Sequence, residues 1–458
     1  MHIPRKHYEM DMTSGPLLGK IVRFSLPLMA TGVLQLLYNA ADIVVVGQFA
    51  GSSALAAVGS TGALINLIVS VFMGLSTGVS VAVARHYGAG QYKDVSETVH
   101  TAVALSLICG TVVGVFGLLT ASSLLQWMGT PENVLDAASL YMRILFIGMP
   151  VNMLYNFGAA VLRAVGDTRR PLIYLSISGM VNVLLNLVFV ILFHMDVEGV
   201  AIATVVSQVI SAVLVTMCLI RSEGSIRLFP RKIRVHVSKL WPIARIGLPA
   251  GVQGSIFSVS NVLIQSSINS FGSLAMAGNT AGANLEGFIS TAMNAFSQAA
   301  LTFSSQNMGA RKPERIRHIV LTCTALVTGM GILLGLALYA FGDPLLSIYV
   351  SGAEDVFSYG MTRITYCSAF VFLCGLMDLF ACEMRGLGYS VLPMVVSILG
   401  ACVFRIIWIY TVFAASPTLP TLYISYPISW ALTSMTHIVC FLVVRRKQRR
   451  EFAKEALA

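Results

Sequence analysis

Charged residues are scarce in this sequence. Only 11% of its 458 residues are charged, whereas 56% are hydrophobic, and the mean hydropathy is +0.79. A soluble globular domain usually carries about a quarter charged residues. No polar segment is long enough to form a separate soluble domain. The composition therefore places the chain among membrane proteins.

Several functional motifs are missing as well. The eight cysteines lie singly in apolar stretches and form no C-x-x-C pair, so we expect free thiols rather than disulfides or metal ligands. The polar N-terminal segment lacks the pattern of a cleaved signal peptide, which predicts that the first apolar run is a retained helix. No metal-ligand motif is present. We therefore expect no catalytic residue and no cofactor.

One stretch superficially fits the G-x-S-x-G motif of serine hydrolases, Gly74–Gly78. That motif requires a turn from strand to helix and a histidine partner. The stretch lies instead in an apolar run, and of the eight histidines only His437 lies well inside a predicted span. No filter-like or charge-ring sequence recurs, which disfavours a channel. A transporter is favoured over an intramembrane enzyme or a channel.

Long apolar runs dominate the chain. A helix needs about 20 mostly apolar residues to cross a bilayer. Twelve runs meet this requirement: Ile21–Phe49, Ala57–Ala84, Val99–Leu119, Leu140–Val161, Leu172–Phe193, Val200–Ile220, Leu240–Phe271, Ala277–Phe303, Ile316–Phe341, Tyr359–Ala381, Val391–Ala414 and Leu422–Val444. Pro27 and Pro249 are expected kink points in the first and seventh runs.

Basic residues lie on one side of the predicted membrane. The two termini and alternate connectors hold 27 of the 30 Lys and Arg residues, and the opposite connectors hold none. The positive-inside rule then predicts that both termini are cytoplasmic, which requires an even number of spans. Because the positive charge belongs to short connectors, it indicates topology, and we expect the lipid bilayer rather than nucleic acid as the partner.

The chain repeats itself at a spacing of about 222 residues. Phe24–Pro27 is echoed by Ile246–Pro249, and Leu162–Asp167 by Met384–Tyr389. Six spans in each half give both halves the same orientation. The predicted fold class is an all-α polytopic membrane protein with twelve transmembrane helices in two six-helix bundles related as a parallel repeat. Such bundles transport solutes by opening the cleft between them alternately to each side.

This repeat predicts the domain organisation. We expect a monomer in the bacterial cytoplasmic membrane. Its predicted parts are a cytoplasmic N-terminal segment at 1–19, an N-terminal six-helix lobe at 20–221, a cytoplasmic linker at 222–239, a C-terminal six-helix lobe at 240–444 and a basic cytoplasmic tail at 445–458.

Three acids lie inside predicted spans: Asp42, Glu286 and Asp378. A charge at the centre of a spanning helix costs about 2.5–3.5 kcal/mol, so each acid is a functional candidate. An acid paired with Arg405 of the eleventh span would equally explain Glu286 or Asp378 as structural. Arg363, like Arg143, lies nearer the outer end of its span, where snorkelling to the interface is expected.

The acids do not follow the repeat. A shift of 222 residues places Asp42 on Ile264, and the other two acids also fall on uncharged positions. Asp42 has no basic partner within a turn of its own helix, which favours a functional role. Asn182 and Asn186 share one helical face, and Thr204 follows in the next span. These oxygens suit an alkali cation, the carboxylate could instead bind a proton, and asparagines that join helices are the structural alternative.

Several motifs resemble those of the multidrug and toxic compound extrusion (MATE) family. They are Tyr38–Asp42, Val46–Gln48, Ala54–Gly59, Leu162–Thr168 and Gly199–Thr204. The resemblance extends over about residues 15–445. It implies an antiporter that expels cationic or amphipathic compounds in exchange for Na⁺ or H⁺.

The resemblance also implies roles for individual residues. Asp42, with Asn182, Asn186 and Thr204, corresponds to the ion-coupling site of the first half. Several relatives have an aspartate at the position of Asn186, so the identity of the ion, Na⁺ or H⁺, stays open. The expected cargo is a small organic cation, and the expected cargo-binding residues are Tyr38, Glu286 and Asp378.

A lipid or lipid-linked oligosaccharide flippase of similar architecture is the alternative within transport. A flippase for anionic lipid phosphates should line its cleft with Arg and Lys. The sequence places three acids in the interior and only Arg405 among the basic residues. This balance favours a cationic cargo.

Overall fold

A computed structural model describes residues 9–349 and 354–457. Arg5 and Lys6 of the predicted N-terminal segment and Ala458 of the predicted tail lie outside these ranges. Only the backbone is described at 51–53, 55–56, 60, 63, 348–349, 354, 453 and 455–457. Within the described ranges the chain forms helices and connecting turns but no β-strand.

Seventeen α-helices follow one another in these ranges. They are α1 Leu17–Val45, α2 Gly51–Gly88, α3 Tyr92–Trp127, α4 Glu132–Ile147, α5 Met149–Ala164, α6 Arg169–Leu187, α7 Val197–Arg221, α8 Val237–Asn269, α9 Ser273–Gly309, α10 Pro313–Ala340, α11 Gly342–Tyr349, α12 Glu354–Cys367, α13 Val371–Gly386, α14 Val391–Ser397, α15 Phe404–Trp408, α16 Leu419–Tyr423 and α17 Ser425–Leu457. Wider π-helical turns continue some of them, at Val46–Ala50, Val188–Leu192, Ile398–Val403 and Ile409–Phe413. Single 3₁₀ turns form at Pro230–Lys232 and Ser368–Phe370.

Each of the twelve predicted runs falls on one helix or on consecutive helices and extends at most two residues beyond them. In the described part of the chain, ten helical segments are long and apolar enough to cross a membrane. The pair α4 and α5, bent by 48°, makes an eleventh. The 37-residue α9 is also long enough, although it carries more polar side chains. The prediction of an all-α polytopic membrane protein is confirmed.

Two compact units divide the chain. One contains Ala30–Gly251 with the described residues up to Asp11, and the other contains Met12–Met29 with the described residues from Val252 onward. Four helices of the first unit, α2, α4, α5 and α6, begin 222 residues before α9, α12, α13 and α14. The sequence repeat is therefore also a repeat of helix boundaries.

The repeated glycines occupy equivalent turns. Gly166 follows α5 and Gly388 follows α13, and both have a φ of +97°. This left-handed conformation is readily adopted by glycine alone. After the first of these turns, Asp167 accepts a hydrogen bond from the Arg170 backbone N–H at 3.1 Å and so caps the start of α6. The echo of Leu162–Asp167 in the second half thus records a turn requirement.

The G-x-S-x-G stretch is a helix-packing motif in the first unit. A Cβ atom on Gly74 would lie 2.2 Å from the Gly251 backbone nitrogen, and one on Gly78 would lie 2.2 Å from the Ile243 carbonyl oxygen. Ser76 donates its hydroxyl to its own helix, to the Met73 carbonyl oxygen at 2.7 Å. Small residues four apart let α2 and α8 approach this closely, as they do in many membrane helices.

The outer surfaces of the helices are apolar. Many large hydrophobic side chains are exposed on the surfaces of the units, among them Leu119, Trp127, Met180 and Leu333. A soluble protein would rarely leave so many exposed. All eight cysteines are free thiols. Both features suit a multi-pass protein surrounded by lipid.

Candidate functional site

A cavity of about 440 Å³ opens inside the first unit among α1, α2, α5, α6 and α7. We call it the Asp42 cavity. Its lining consists of Gln35, Tyr38, Asn39, Asp42, Asn66, Val69, Met73, Asn152, Tyr155, Asn156, Leu175, Ser178, Gly179, Asn182, Thr204, Ser207, Gln208 and Ser211.

Neutral polar groups dominate this lining. Seven of the side chains are amides and six are hydroxyls. Asp42 is the single carboxylate, and no Lys, Arg or His is among the residues that line the cavity. Amides and hydroxyls both donate and accept hydrogen bonds. The cavity can therefore hold a polar guest, and its one formal charge attracts a cation.

The structure brings the four predicted ion-coupling residues together. Asn186 donates a hydrogen bond from Nδ2 to Asp42 Oδ1, and its Nδ2 lies 3.5 Å from Asn182 Oδ1. Asn182 in turn donates from Nδ2 to Thr204 Oγ1 at 3.4 Å. Asp42, Asn182 and Thr204 line the cavity, whereas Asn186 lies fully buried behind them. One hydrogen-bonded chain thus links α1, α6 and α7.

Oxygen atoms in this chain retain capacity to bind a ligand. Asn186 Oδ1 is buried and has no hydrogen-bond partner within the described residues. The Thr204 hydroxyl donates to the Val200 carbonyl oxygen at 2.9 Å and accepts from Asn182, so one of its two lone pairs stays available. Carboxylate, amide and hydroxyl oxygens are ligands for hard cations. A single carboxylate matches a monovalent ion, Na⁺ or H⁺, in charge.

Tyr38 forms part of the wall beside Asp42. Its hydroxyl donates to the Ser176 carbonyl oxygen at 3.3 Å. Its ring packs directly on Gly179, where an added Cβ would lie 1.9 Å from a ring carbon. The absence of a side chain at Gly179 therefore fixes the position of this aromatic wall.

Glu286 and Arg363 form a buried ion pair in the second unit. Arg363 Nη2 lies 2.7 Å from Glu286 Oε2, and both side chains are at most 10% exposed. Arg363 also donates to Asn279 Oδ1 at 2.7 Å, and Tyr423 donates to the same oxygen at 3.2 Å. The prediction that Arg363 snorkels to the interface is wrong, because this acid and amide on α9 hold its guanidinium inside.

Arg405 does not pair with an acid in the described part of the chain. It is 4% exposed and donates from Nε to Ser429 Oγ at 2.9 Å. Its guanidinium carbon lies 4.2 Å from the centre of the Tyr426 ring, and its Nη2 has no hydrogen-bond partner among the described residues. The alternative in which Glu286 or Asp378 pairs with Arg405 is therefore not observed in the described residues, and an aromatic ring lies where that acid would be.

The remaining acids of the second unit differ in environment. Asp378 on α13 is half-buried and, within the described residues, makes no hydrogen bond or ion pair. Glu383 on the same helix is fully buried and accepts a hydrogen bond from Ser304 at 2.6 Å. Glu383 was not among the predicted interior acids, because the predicted tenth span ends at Ala381.

These pairings change the electrostatic argument about cargo. Arg405 was the single basic residue that we expected in the interior. Arg363 is interior too, and it neutralises Glu286. The second unit therefore carries no clear excess of negative charge. The preference for a cationic cargo rests instead on the Asp42 cavity.

Comparisons with known proteins agree with one another. The MatE family model matches residues 27–188 and 249–411, once in each half. The probable multidrug resistance protein YoeA of Bacillus subtilis is 28% identical over 384 residues, which cover 82% of each chain. An FAD transporter of Shewanella oneidensis is 28% identical over 74% of this chain and 75% of its own.

Solved structures share the fold. A multidrug resistance MATE family transporter of the MOP superfamily, in an outward-facing conformation, superposes with a TM-score of 0.90 at 21% identity. The match covers 98% of this chain and 100% of the other. At this identity the likeness establishes the architecture alone.

Proposed function

The chain belongs to the MatE family, and from this premise we propose that it is a secondary active antiporter that exports cationic or amphipathic organic compounds in exchange for Na⁺ or H⁺. Members of this family are transporters rather than enzymes and need no cofactor. The multidrug resistance proteins among its relatives support organic compounds as cargo.

The observation that carries the proposal is the Asp42 cavity. Its one carboxylate, its neutral polar lining and its apolar surfaces at Val69, Met73 and Leu175 suit an amphipathic cation. Tyr38 adds an aromatic face, which attracts cations through its ring electrons. A volume of about 440 Å³ lies within the range of small-molecule binding sites.

Exchange follows from competition for one carboxylate. When Na⁺ or a proton occupies Asp42, the cavity loses its only negative charge and holds a cationic cargo less well. Release of the ion restores that charge and the affinity for cargo. One charge moving inward across about 100 mV supplies roughly 2.3 kcal/mol, and its chemical gradient adds to this.

The proposal also includes the membrane, the orientation and the oligomeric state of the transporter. We infer a monomer in the cytoplasmic membrane with both termini cytoplasmic, because the basic residues lie in the connectors of one side. The repeated helix boundaries support a six-helix lobe in each half that alternates access to the cargo site. In both lobes the cytoplasmic ends are those next to Lys- and Arg-rich connectors.

Transport by the purified protein in liposomes tests this function. A fluorescent organic cation is loaded, and a Na⁺ gradient or a pH gradient is imposed separately. One gradient should drive export above the rate of protein-free liposomes, and the other should not. Export that proceeds equally with no gradient would contradict antiport.

A second cargo class is an anionic aromatic compound. The specific observation that favours it is Arg405, a buried cation beside the Tyr426 ring whose Nη2 has no hydrogen-bond partner in the described ranges. The FAD transporter among the relatives supports the same class. The same liposomes loaded with a flavin nucleotide discriminate between the two classes. The flippase alternative finds no support among these relatives.

A further inference from the structure

A second cavity of about 460 Å³ lies in the first unit, where the connector after α7 folds onto the start of α3. We call it the linker cleft. It is lined by Lys93, Ser96, Glu97, His100, Arg231, Lys232, Arg234 and His236. None of these residues takes part in the Asp42 cavity.

Hydrogen bonds to α3 hold the connector in place. The Phe229 backbone N–H donates to His100 Nε2 at 3.0 Å, and the two rings stack with an interplanar angle of 4°. His100 Nδ1 lies 2.7 Å from the Ser96 carbonyl oxygen. The His236 backbone N–H donates to Thr101 Oγ1 at 3.1 Å. The cleft is therefore a formed structure rather than a loop that happens to be basic.

The charges in the linker cleft are unbalanced. Four of the lining side chains are Lys or Arg, and Glu97 is the one acid among them. Lys239, which does not line the cleft, places its Nζ 3.9 Å from Glu97 Oε2 and so compensates the negative charge of Glu97. Lys239 also pairs with Asp94. Lys93 and Arg231 are exposed and form no ion pair within the described ranges. Four gathered cations that form no ion pair with an acid among the described residues make a site for an anion.

Exposed apolar and aromatic side chains lie next to the linker cleft. Next to it α8 begins with Val237, which is 78% exposed, and continues to Trp241, which is 70% exposed. Tyr92, also exposed, starts α3 beside Lys93. Tryptophan and tyrosine collect at the membrane–water interface. These neighbours therefore indicate that the cleft faces the lipid headgroups, where phospholipid phosphates are the available anions.

We propose that the linker cleft binds the phosphate of an anionic phospholipid headgroup. The planar guanidinium groups of Arg231 and Arg234 can each bind phosphate oxygens with two hydrogen bonds. Lys93 and Lys232 add point charges to the same site. Basic clusters beside a membrane helix attract anionic lipids, and each cation raises the affinity for such a lipid about fivefold. The bound lipid would add a further link between the connector and α3.

Lipid titration of the purified full-length protein in neutral detergent tests this proposal. Phosphatidylglycerol and phosphatidylcholine of equal chain length are added separately, and bound lipid is counted by native mass spectrometry. Phosphatidylglycerol should bind in preference to phosphatidylcholine. Replacing two cations, in Arg231→Gln with Arg234→Gln, should weaken phosphatidylglycerol binding roughly 25-fold.

The matched control is Arg169→Gln with Arg317→Gln, which removes two exposed cations that do not line the cleft. The affinity of this control variant for phosphatidylglycerol should stay within about twofold of that of the parent protein, since neither cation lies in the proposed site. Equal losses in both double variants would show diffuse attraction and overturn the site.

Two further results would also overturn the proposal. One is equal binding of both lipids. The other is displacement of phosphatidylglycerol by millimolar inorganic phosphate, which would make free phosphate the ligand. Should the double variant fold poorly, Arg231→Gln alone keeps the test valid, because this side chain makes no hydrogen bond or ion pair in the described part of the chain. Its expected loss is about fivefold.

Discussion

Replacing Glu286 by glutamine should destabilise the protein more than replacing Glu286 and Arg363 together. In the parent protein Arg363 donates to Glu286 Oε2 from Nη2 at 2.7 Å and from Nε at 3.2 Å. The single substitution leaves the guanidinium buried without a counter-charge, with the neutral glutamine oxygen, Asn279 and a nearby aromatic ring as its neighbours. A buried charge without its counter-charge is strongly unfavourable.

The magnitude follows from the burial of the pair. Breaking a buried pair by removal of one partner costs about 3–5 kcal/mol, whereas replacement of both partners by apolar side chains is often neutral. We expect a loss of about 3–5 kcal/mol in Glu286→Gln or Arg363→Met, and a loss of less than about 2 kcal/mol in Glu286→Met with Arg363→Met. The double variant is thus more stable than either single variant.

The unfolding free energy is measured in mixed micelles with a rising fraction of denaturing detergent. A thiol-reactive dye reports unfolding, since six of the eight cysteines are buried. The control is Arg143→Met, whose arginine is exposed and hydrogen-bonded to Ser122, and which should stay close to the parent. Additive losses in the double variant would refute the reasoning, because they would show that the two charges do not depend on each other.

Three other predictions concern packing and cargo. Gly251→Ala should reduce the yield of folded protein, because the added Cβ would lie 2.2 Å from a backbone oxygen of α2. The control Gly329→Ala should not reduce the yield, because there is open space around that residue. Size-exclusion chromatography after extraction measures the yield of both variants. Gly179→Ala should displace the Tyr38 ring and weaken cargo binding by roughly tenfold, equivalent to about 1.4 kcal/mol of strain. A fluorescent-cation titration measures this affinity, and unchanged binding would exclude Tyr38 from the cargo site. Asp378→Asn should change which cations are exported without changing the dependence on the ion gradient, and equal export of a whole cation panel would make Asp378 structural.

The helices and the repeat could be predicted from the sequence because the bilayer imposes a minimum apolar length on every span. The similarity of Leu162–Asp167 to the matching segment of the second half could be read from the sequence. The structure explains it, because Gly166 and Gly388 both have a positive φ. The motif at Gly74–Gly78 could be recognised as non-catalytic from its apolar context. Its contact with α8 could not be foreseen, since spacing along one helix does not reveal the facing helix.

The polar group around Asp42 could also be predicted in part. Helical spacing places Asn182 and Asn186 on one face, and their depth in the membrane matches that of the acid. The other amides of the cavity, such as Asn66, Asn152 and Gln208, were not predicted. They come from three different helices, and only the packing turns them toward one space.

The error about Arg363 has a different origin. Its depth was inferred from its distance to the end of the span, and that distance does not show which groups face it. Glu286 lies 77 positions earlier in the chain, so no local pattern connects the two. Pairings between distant helices depend on tertiary packing, which one sequence does not encode in readable form.

Export by the Asp42→Asn variant tests the central claim most directly. The parent protein and the variant are reconstituted in liposomes, and export of a fluorescent cation is followed under the ion gradient that drives the parent. The substitution keeps the side chain's size and removes the only carboxylate of the cavity. We predict that the variant folds normally, still matches the parent in thermal unfolding, and exports no faster than protein-free liposomes. Full gradient-driven export by the variant would contradict the assignment of Asp42 as the coupling residue.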